Sequence, residues 1–313
     1  MSGILITGGL GYIGSFTARK ILKQTKSKVL SIDNLSRGNK FASKYSINKK
    51  LNISNKNVKK LLIQKKINIV IHLASLTCVR ESLKKPKKYY EDFKAQLKFV
   101  KCLKDTKVNY LIFSSSLSIF DEDKYKSNLS PYSKYKFKLE KYLKKISSPS
   151  FKVIILRYPN IIGSDPSGEL GERNFFISRI MPLFYKNLIK EKYTNLFYNF
   201  KTKTFPKRNY LHVEDIANIN YSIVKNIKKF KRNCNIFNLS GKKQYSNFEV
   251  LKFISKMLNK KPQYILKKIS SRESMIQIDN SKTSIFNYIN YKIKYVNLAK
   301  IIQTNLKWFK KIY

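Results

Sequence analysis

The chain has 313 residues, 42% hydrophobic and 13% aromatic, enough to bury one large domain or two modest ones. Its net charge is +47, yet 56 of the 65 basic residues are lysine and they run along the whole length. With Asn, Ile, Tyr and Phe also abundant, all served by A/T-rich codons, this reads as drift of solvated surfaces and argues against a dedicated nucleic-acid binder.

In chain order, Ser2 to Thr7 predicts a short apolar strand, followed by glycines and a helix from about Gly14 to Gln24. Strands are expected at Lys28 to Ile32, Asn68 to Leu73, Asn109 to Phe113 and Lys152 to Arg157, with helices around Lys87 to Lys104 and Tyr132 to Ile146. Alternating strands and helices predict right-handed crossovers and a doubly wound α/β domain with a parallel sheet. Residues 1–163 form this first domain, and a segment near 213–238 returns to it. Residues 164–313, where Gly, Pro and aromatics loosen the pattern, form mainly a smaller second α/β domain. No apolar run nears the roughly 20 residues of a membrane helix and no basic-then-apolar leader opens the chain, so a cytoplasmic protein without a membrane partner is expected. Cys78, Cys102 and Cys234 are too few and too scattered for a disulfide framework or a metal cluster.

The stretch Thr7-Gly8-Gly9-Leu10-Gly11-Tyr12-Ile13-Gly14 lies between the first strand and the first helix. Gly8, Gly11 and Gly14 allow a tight turn and close approach of a pyrophosphate to the helix N-terminus. Asp33 ends the second strand 19 residues beyond Gly14, where a carboxylate binds a ribose 2′-hydroxyl and repels a 2′-phosphate, favouring NAD over NADP. Ser114, Ser115 and Ser116 end the fourth strand at the ligand-binding edge of such a sheet. Ser130-Pro131 then starts a helix, with serine as the cap and proline in the first turn. Tyr132 and Lys136 share a face of that helix. Tyr-x-x-x-Lys also begins at Tyr45, Tyr90, Tyr221, Tyr264 and Tyr288, so spacing alone does not single out a pair. Only Tyr132 combines a marked helix start with a position just beyond the serine-ended strand. His72 and His212 are assigned to packing. A hydrolase triad of Ser116, His212 and Asp215 lacks a nucleophile elbow.

These stretches, with DNLSRG at 33 to 38, HLAS at 72 to 75, LRYPNIIG at 156 to 163, DPSGELGE at 165 to 172 and RNYLHVEDIA at 208 to 217, resemble the extended short-chain dehydrogenase/reductases. IMP at 180 to 182 and the Ser281-Lys282 pair extend the likeness, which is greatest to the branch that epimerises C4 of UDP-hexoses such as UDP-glucose and UDP-galactose. The resemblance implies a Rossmann domain holding NAD and a smaller substrate-binding domain. It implies Tyr132 as acid/base, Lys136 on the nicotinamide ribose and lowering the phenol pKa, and Ser116 on the sugar hydroxyl. Cofactor contacts are implied for Gly8, Gly11, Tyr12, Ile13, Gly14, Asp33, Asn34, Leu73, Ala74, Ser114, Tyr132, Lys136 and Tyr158. Substrate contacts are implied for Ser116, Tyr132, Asn160, Arg208 and Arg272, and homodimerisation through the helices near 87 to 104 and 132 to 146. The chain departs from the family pattern at Asn52, Thr77, Asp92-Phe93-Lys94, Phe120-Asp121 and Met275, where aspartate, lysine, Asn-Asn-Val, Tyr-Gly and aspartate are usual. Another nucleotide-sugar epimerase or dehydratase, or a binding protein that has lost turnover, remains an alternative reading.

Overall fold

The computed structural model describes residues 3–38, 40–120, 130–173, 179–268 and 284–313. The first half runs β1 (Gly3–Thr7), α1 (Tyr12–Thr25), β2 (Val29–Asp33), β3 (Ser46–Lys50), α2 (Asn57–Gln64), β4 (Ile67–His72), α3 (Val79–Lys84), α4 (Pro86–Leu103), β5 (Tyr110–Ser116), α5 (Pro131–Ile146) and β6 (Lys152–Tyr158). It continues with β7 (Asn160–Ile162), α6 (Ile180–Ile189), β8 (Thr194–Tyr198), β9 (Lys207–His212), α7 (Val213–Lys225) and β10 (Cys234–Asn238). β11 (Gln244–Ser246), α8 (Asn247–Leu258), β12 (Tyr264–Lys268) and α9 (Leu298–Ile312) complete it.

Among the described residues, seven strands pair in the order β10-β6-β5-β4-β1-β2-β3, every pairing parallel. The doubly wound α/β class expected from the alternating pattern is therefore present. Central strands read as continuous apolar runs because both faces are covered. On one face α1 and α7 pack through Phe16, Ile216 and Ile219. On the other, Val58 of α2, Phe99 of α4 and Leu139 of α5 close a second core. β3 carried no clear signal in the sequence: its SINKK is polar and mostly exposed, as suits an edge strand blunted by lysine. α7 packs against α1, and β10 lies beside β6.

The remaining strands form two small sheets, β11-β9-β7 and β12-β8. Their core includes Ile162, Phe184, Leu196, Val250, Leu251 and Trp308. Arg19 of α1 ties this layer to the large sheet: its guanidinium lies 3.1 Å from Asp165 and 3.1 Å from Glu214. Among the described residues, no helix is long and apolar enough to cross a membrane.

Both histidines are buried. Thr7 Oγ1 accepts the Leu73 and Ala74 N–H groups at 3.2 Å each, so it donates to His72 Nδ1 at 2.6 Å. His212 Nδ1 caps α7 by accepting the Glu214 N–H, and Nε2 donates to Thr304 Oγ1 at 3.0 Å. With Asp215 accepting the N–H groups of Lys294 and Tyr295, neither member of the conceivable triad is aimed at Ser116. Burial is the first cause that pulls each imidazole down to about 3, against about 6.5 in an unfolded chain. Between those values the unfolded chain binds more protons. The stabilising contribution is therefore full above about pH 6.5 and drains away as pH falls toward 3. Urea unfolding should show stability dropping between about pH 6.5 and pH 4.5. His72→Gln should remove up to about 1.4 kcal/mol per pH unit of that slope, and an unchanged slope would contradict this account of His72.

Candidate active site

The sheet order reverses at β1, leaving a crevice beyond the carboxyl ends of β1 and β4 where open α/β sheets bind ligands. Gly8 turns the chain there with φ +66°, a left-handed conformation that favours glycine. A Cβ on Gly8 would lie 2.9 Å from the Ala74 nitrogen, so the β1 and β4 loops touch. A Cβ on Gly14 would lie 2.1 Å from the Gly8 oxygen. Gly11 caps α1 without a side-chain hydrogen bond, and the first turn carries no acidic residue. Tyr12 and Ile13 open that helix, presenting N–H groups suited to an anion.

Asp33 ends β2 and accepts N–H groups from Leu10 at 3.1 Å and Leu35 at 2.8 Å. Burial raises its pKa despite these bonds. Asn34 beside it is exposed and accepts the Ser36 N–H. Leu73 and Ala74 are held by Thr7, as above. Gly8, Leu73 and Ala74 thus meet at the switch point, with Asp33 at the end of the adjacent strand.

The chemistry-bearing side chains stand at the end of β5 and on α5. Ser130 caps α5 by accepting the Ser133 N–H at 3.2 Å, with Pro131 in the first turn. This fixes Tyr132 and Lys136 one turn apart, both facing a cleft shared with Ser75, Asp92 and Gln96. Lys136 is only 3% exposed. Its Nζ donates to the Ser114 carbonyl at 2.9 Å and lies 4.8 Å from the centre of the Phe113 ring. Burial pulls the ammonium down to about 8, while Asp92 and Glu140 hold it up. Asp92 is itself fastened by the Leu76 N–H at 3.2 Å and Gln96 Nε2 at 2.6 Å. Burial raises its carboxyl pKa, against Leu76, Lys136 and Gln96.

The phenol of Tyr132 is buried and pushed up by desolvation; the Ser116 hydroxyl and the Arg179 guanidinium act the other way. Ser116 belongs to a relay of hydroxyls: Ser130 donates to Ser133, Ser133 to Ser118, and Ser118 to Ser116, each at 3.0 Å. Ser114 Oγ donates to the His72 carbonyl at 2.9 Å. Ser115 donates to Glu140, which Arg157 grips at 2.7 Å, so this serine is structural. Tyr158 is buried and donates to Asn220 Oδ1 at 3.1 Å.

Asn160 begins β7 and Arg208 lies on neighbouring β9, where Asn160 pairs with Tyr210. Asn160, on an edge strand of the small sheet, is exposed, and Arg208, on its central strand, is partly so. Arg272, Met275, Asp121 and the Ser281-Lys282 pair fall outside the described residues. Asn52 accepts from Ser54, Phe93 stacks on Tyr135 with centroids 5.0 Å apart, and Thr77 accepts a hydrogen bond from Arg179. Sequence reasoning did not single out Arg179, or Ser118 and Ser133. Arginine's scarcity in a lysine-rich chain, 9 in all, was the available signal for Arg179; the serines carried none.

A family model described as NAD dependent epimerase/dehydratase matches residues 4–240. The UDP-glucose 4-epimerase of Lactobacillus helveticus is 28% identical, covering 98% of this chain and 97% of its own. That of Dictyostelium discoideum is 31% identical over 83% of each chain. A solved UDP-glucose 4-epimerase from Bifidobacterium longum, in complex with NAD+ and UDP, superposes with a TM-score of 0.87 at 24% identity, covering 99% of this chain and 98% of its own. Gly14→Ala, which puts a methyl group against the Gly8 carbonyl, should cost about 1–3 kcal/mol. A lowered thermal midpoint is expected, and an unchanged one would show that the turn can relax.

Proposed function

The chain belongs to the NAD dependent epimerase/dehydratase family, and from that premise we propose that it inverts C4 of a UDP-hexose, interconverting UDP-glucose and UDP-galactose. The observation that carries the reading is the buried pair Tyr132 and Lys136, sharing one cleft with Lys136 on the Ser114 carbonyl at the end of β5, in a chain that aligns nearly end to end with a UDP-glucose 4-epimerase. A dehydratase or a non-catalytic binder has no particular observation in its favour.

The crevice fits NAD. Gly8 and Gly14 let the β1 loop pack directly on the β4 loop and on the start of α1, and that helix start, which no side chain caps, would offer the Tyr12 and Ile13 N–H groups to a pyrophosphate. Asp33, with Asn34, would take the adenosine ribose and disfavour a 2′-phosphate. Leu73, Ala74, Ser114 and Tyr158 would border the nicotinamide end, with Lys136 on its ribose. When bound, NAD supplies a two-electron acceptor and donor beside the sugar.

Tyr132 takes the proton of the sugar 4-hydroxyl and returns it after the transient 4-keto sugar has turned its other face. Ser116, fixed by Ser118, hydrogen-bonds the same oxygen. Asn160, Arg208 and Arg272 hold the UDP part, arginine being suited to bidentate phosphate contact. In this reading residues 1–163, with 213–238, bind the cofactor, and 164–313 mainly bind substrate. The protein is cytoplasmic. It pairs with a second copy through α4 and α5, where exposed Tyr90 and its neighbours Phe93 and Tyr135 form an aromatic cluster.

Purified protein given UDP-galactose should form UDP-glucose, and Tyr132→Phe should slow turnover about 10²–10⁴-fold. No interconversion by folded, NAD-loaded protein would refute the reading, and full turnover by the variant would refute the role of Tyr132. Light scattering should give a dimer; a monomer would exclude the pairing.

A further inference from the structure

Ser118 stands in the short turn Leu117–Phe120 that follows β5, and it gives Ser116 both of its polar hydrogens. Its N–H donates to Ser116 Oγ at 3.2 Å, and its hydroxyl donates to the same oxygen at 3.0 Å. A serine hydroxyl has two lone pairs and one proton. With both lone pairs engaged, Ser116 is left only as a donor.

The Ser118 hydroxyl is oriented in turn from α5. Ser133, the residue after Tyr132, donates to it at 3.0 Å. Ser130 donates to Ser133 at 3.0 Å while accepting the Ser133 N–H at 3.2 Å. Ser130 and Ser133 are only 7% and 3% exposed, so water competes little for these bonds. Linked hydroxyls polarise one another in a common direction, and an acceptor placed at the Ser116 end draws every proton of the chain toward it. The chain also joins two elements. Ser133 ties the first turn of α5 to the turn after β5, and one helical turn further on Lys136 ties α5 to the Ser114 carbonyl at 2.9 Å. Ser116 lies between the two anchored positions, 114 and 118.

We propose that Ser118 and Ser133 are positioning residues: they occupy Ser116 as an acceptor, so that its one proton is committed to whatever acceptor binds beside it. On the epimerase reading, on which the identity of that acceptor rests, it is the sugar 4-oxygen. A Ser116 with an open lone pair competes with Tyr132 for the proton of the 4-hydroxyl. A Ser116 that only donates leaves that proton to Tyr132 and places a hydrogen bond on the oxygen as negative charge develops there. The gain belongs to the chemical step and not to binding.

Ser118→Ala and Ser133→Ala remove the links one at a time, and Ser118→Thr keeps the hydroxyl. In NAD-loaded protein Ser118→Ala should lower kcat for UDP-galactose about 3–10-fold, the worth of one hydrogen bond, with KM little changed. Ser133→Ala should lower it less, and Ser118→Thr should restore it. In a Ser116→Ala background neither alanine variant should lower kcat further, because the effect passes through Ser116. An unchanged kcat, equal losses with and without Ser116, or a loss confined to KM overturns the proposal. Crystal structures of the parent and Ser118→Ala give a readout independent of turnover: Ser116 Oγ should turn to another rotamer or take a water in the vacated place. An unmoved Ser116 Oγ with no new partner overturns the proposal as well. A displaced or newly hydrated Ser116 in a protein that does not turn over UDP-galactose supports the positioning role and refutes the epimerase reading instead.

Discussion

A lysine ammonium that is almost completely buried must be kept charged by its surroundings, and the site is organised around that requirement. Lys136 has the Ser114 carbonyl as its direct acceptor, the Phe113 ring beneath it, and the carboxylates of Asp92 and Glu140 within electrostatic reach. Burial still wins in part, leaving the group titrating at about 8. Each supporting carboxylate is itself held: Asp92 by Leu76 and Gln96, Glu140 by Arg157 and Ser115. Removing one member of such a set leaves a buried charge uncompensated, a more expensive change than the loss of a surface ion pair.

The same economy of contacts places the site on the sheet. The Thr7 hydroxyl joins β1 to the loop after β4 by taking two N–H groups and donating to His72. Gly8 lets those loops touch, and Arg19 binds the second layer to α1 through Asp165 while also holding Glu214 of α7. Two cations of different character stand out: Lys136 lies deep and faces a carbonyl, whereas Arg179 is partly exposed and faces a hydroxyl and a carboxylate.

The doubly wound sheet was legible because its central strands are continuous apolar runs punctuated by glycine, and the glycine turn because strand, glycines and helix follow in order. β3 was not, since an edge strand such as SINKK has no buried face to impose alternation. Tyr132 and Lys136 stood out among six equal spacings through Ser130 and Pro131, local signals that survive without tertiary information. Ser118, Ser133 and Arg179 did not, because their partners lie on other elements: Ser133 reaches Ser118 across 15 positions, and Arg179 reaches Thr77 across 102. The family resemblance supplied the reaction class, which spacing alone could not.

The central claim is that one sugar carbon is inverted within a closed site, its hydrogen never released to water while Tyr132 handles only the hydroxyl proton. The direct measurement is the fate of deuterium placed at C4 of UDP-galactose, read by mass spectrometry of the UDP-glucose formed in ordinary water. The account predicts that the label stays at C4. Loss of the label to solvent would contradict it, because a carbon-bound hydrogen would then have been removed as a proton.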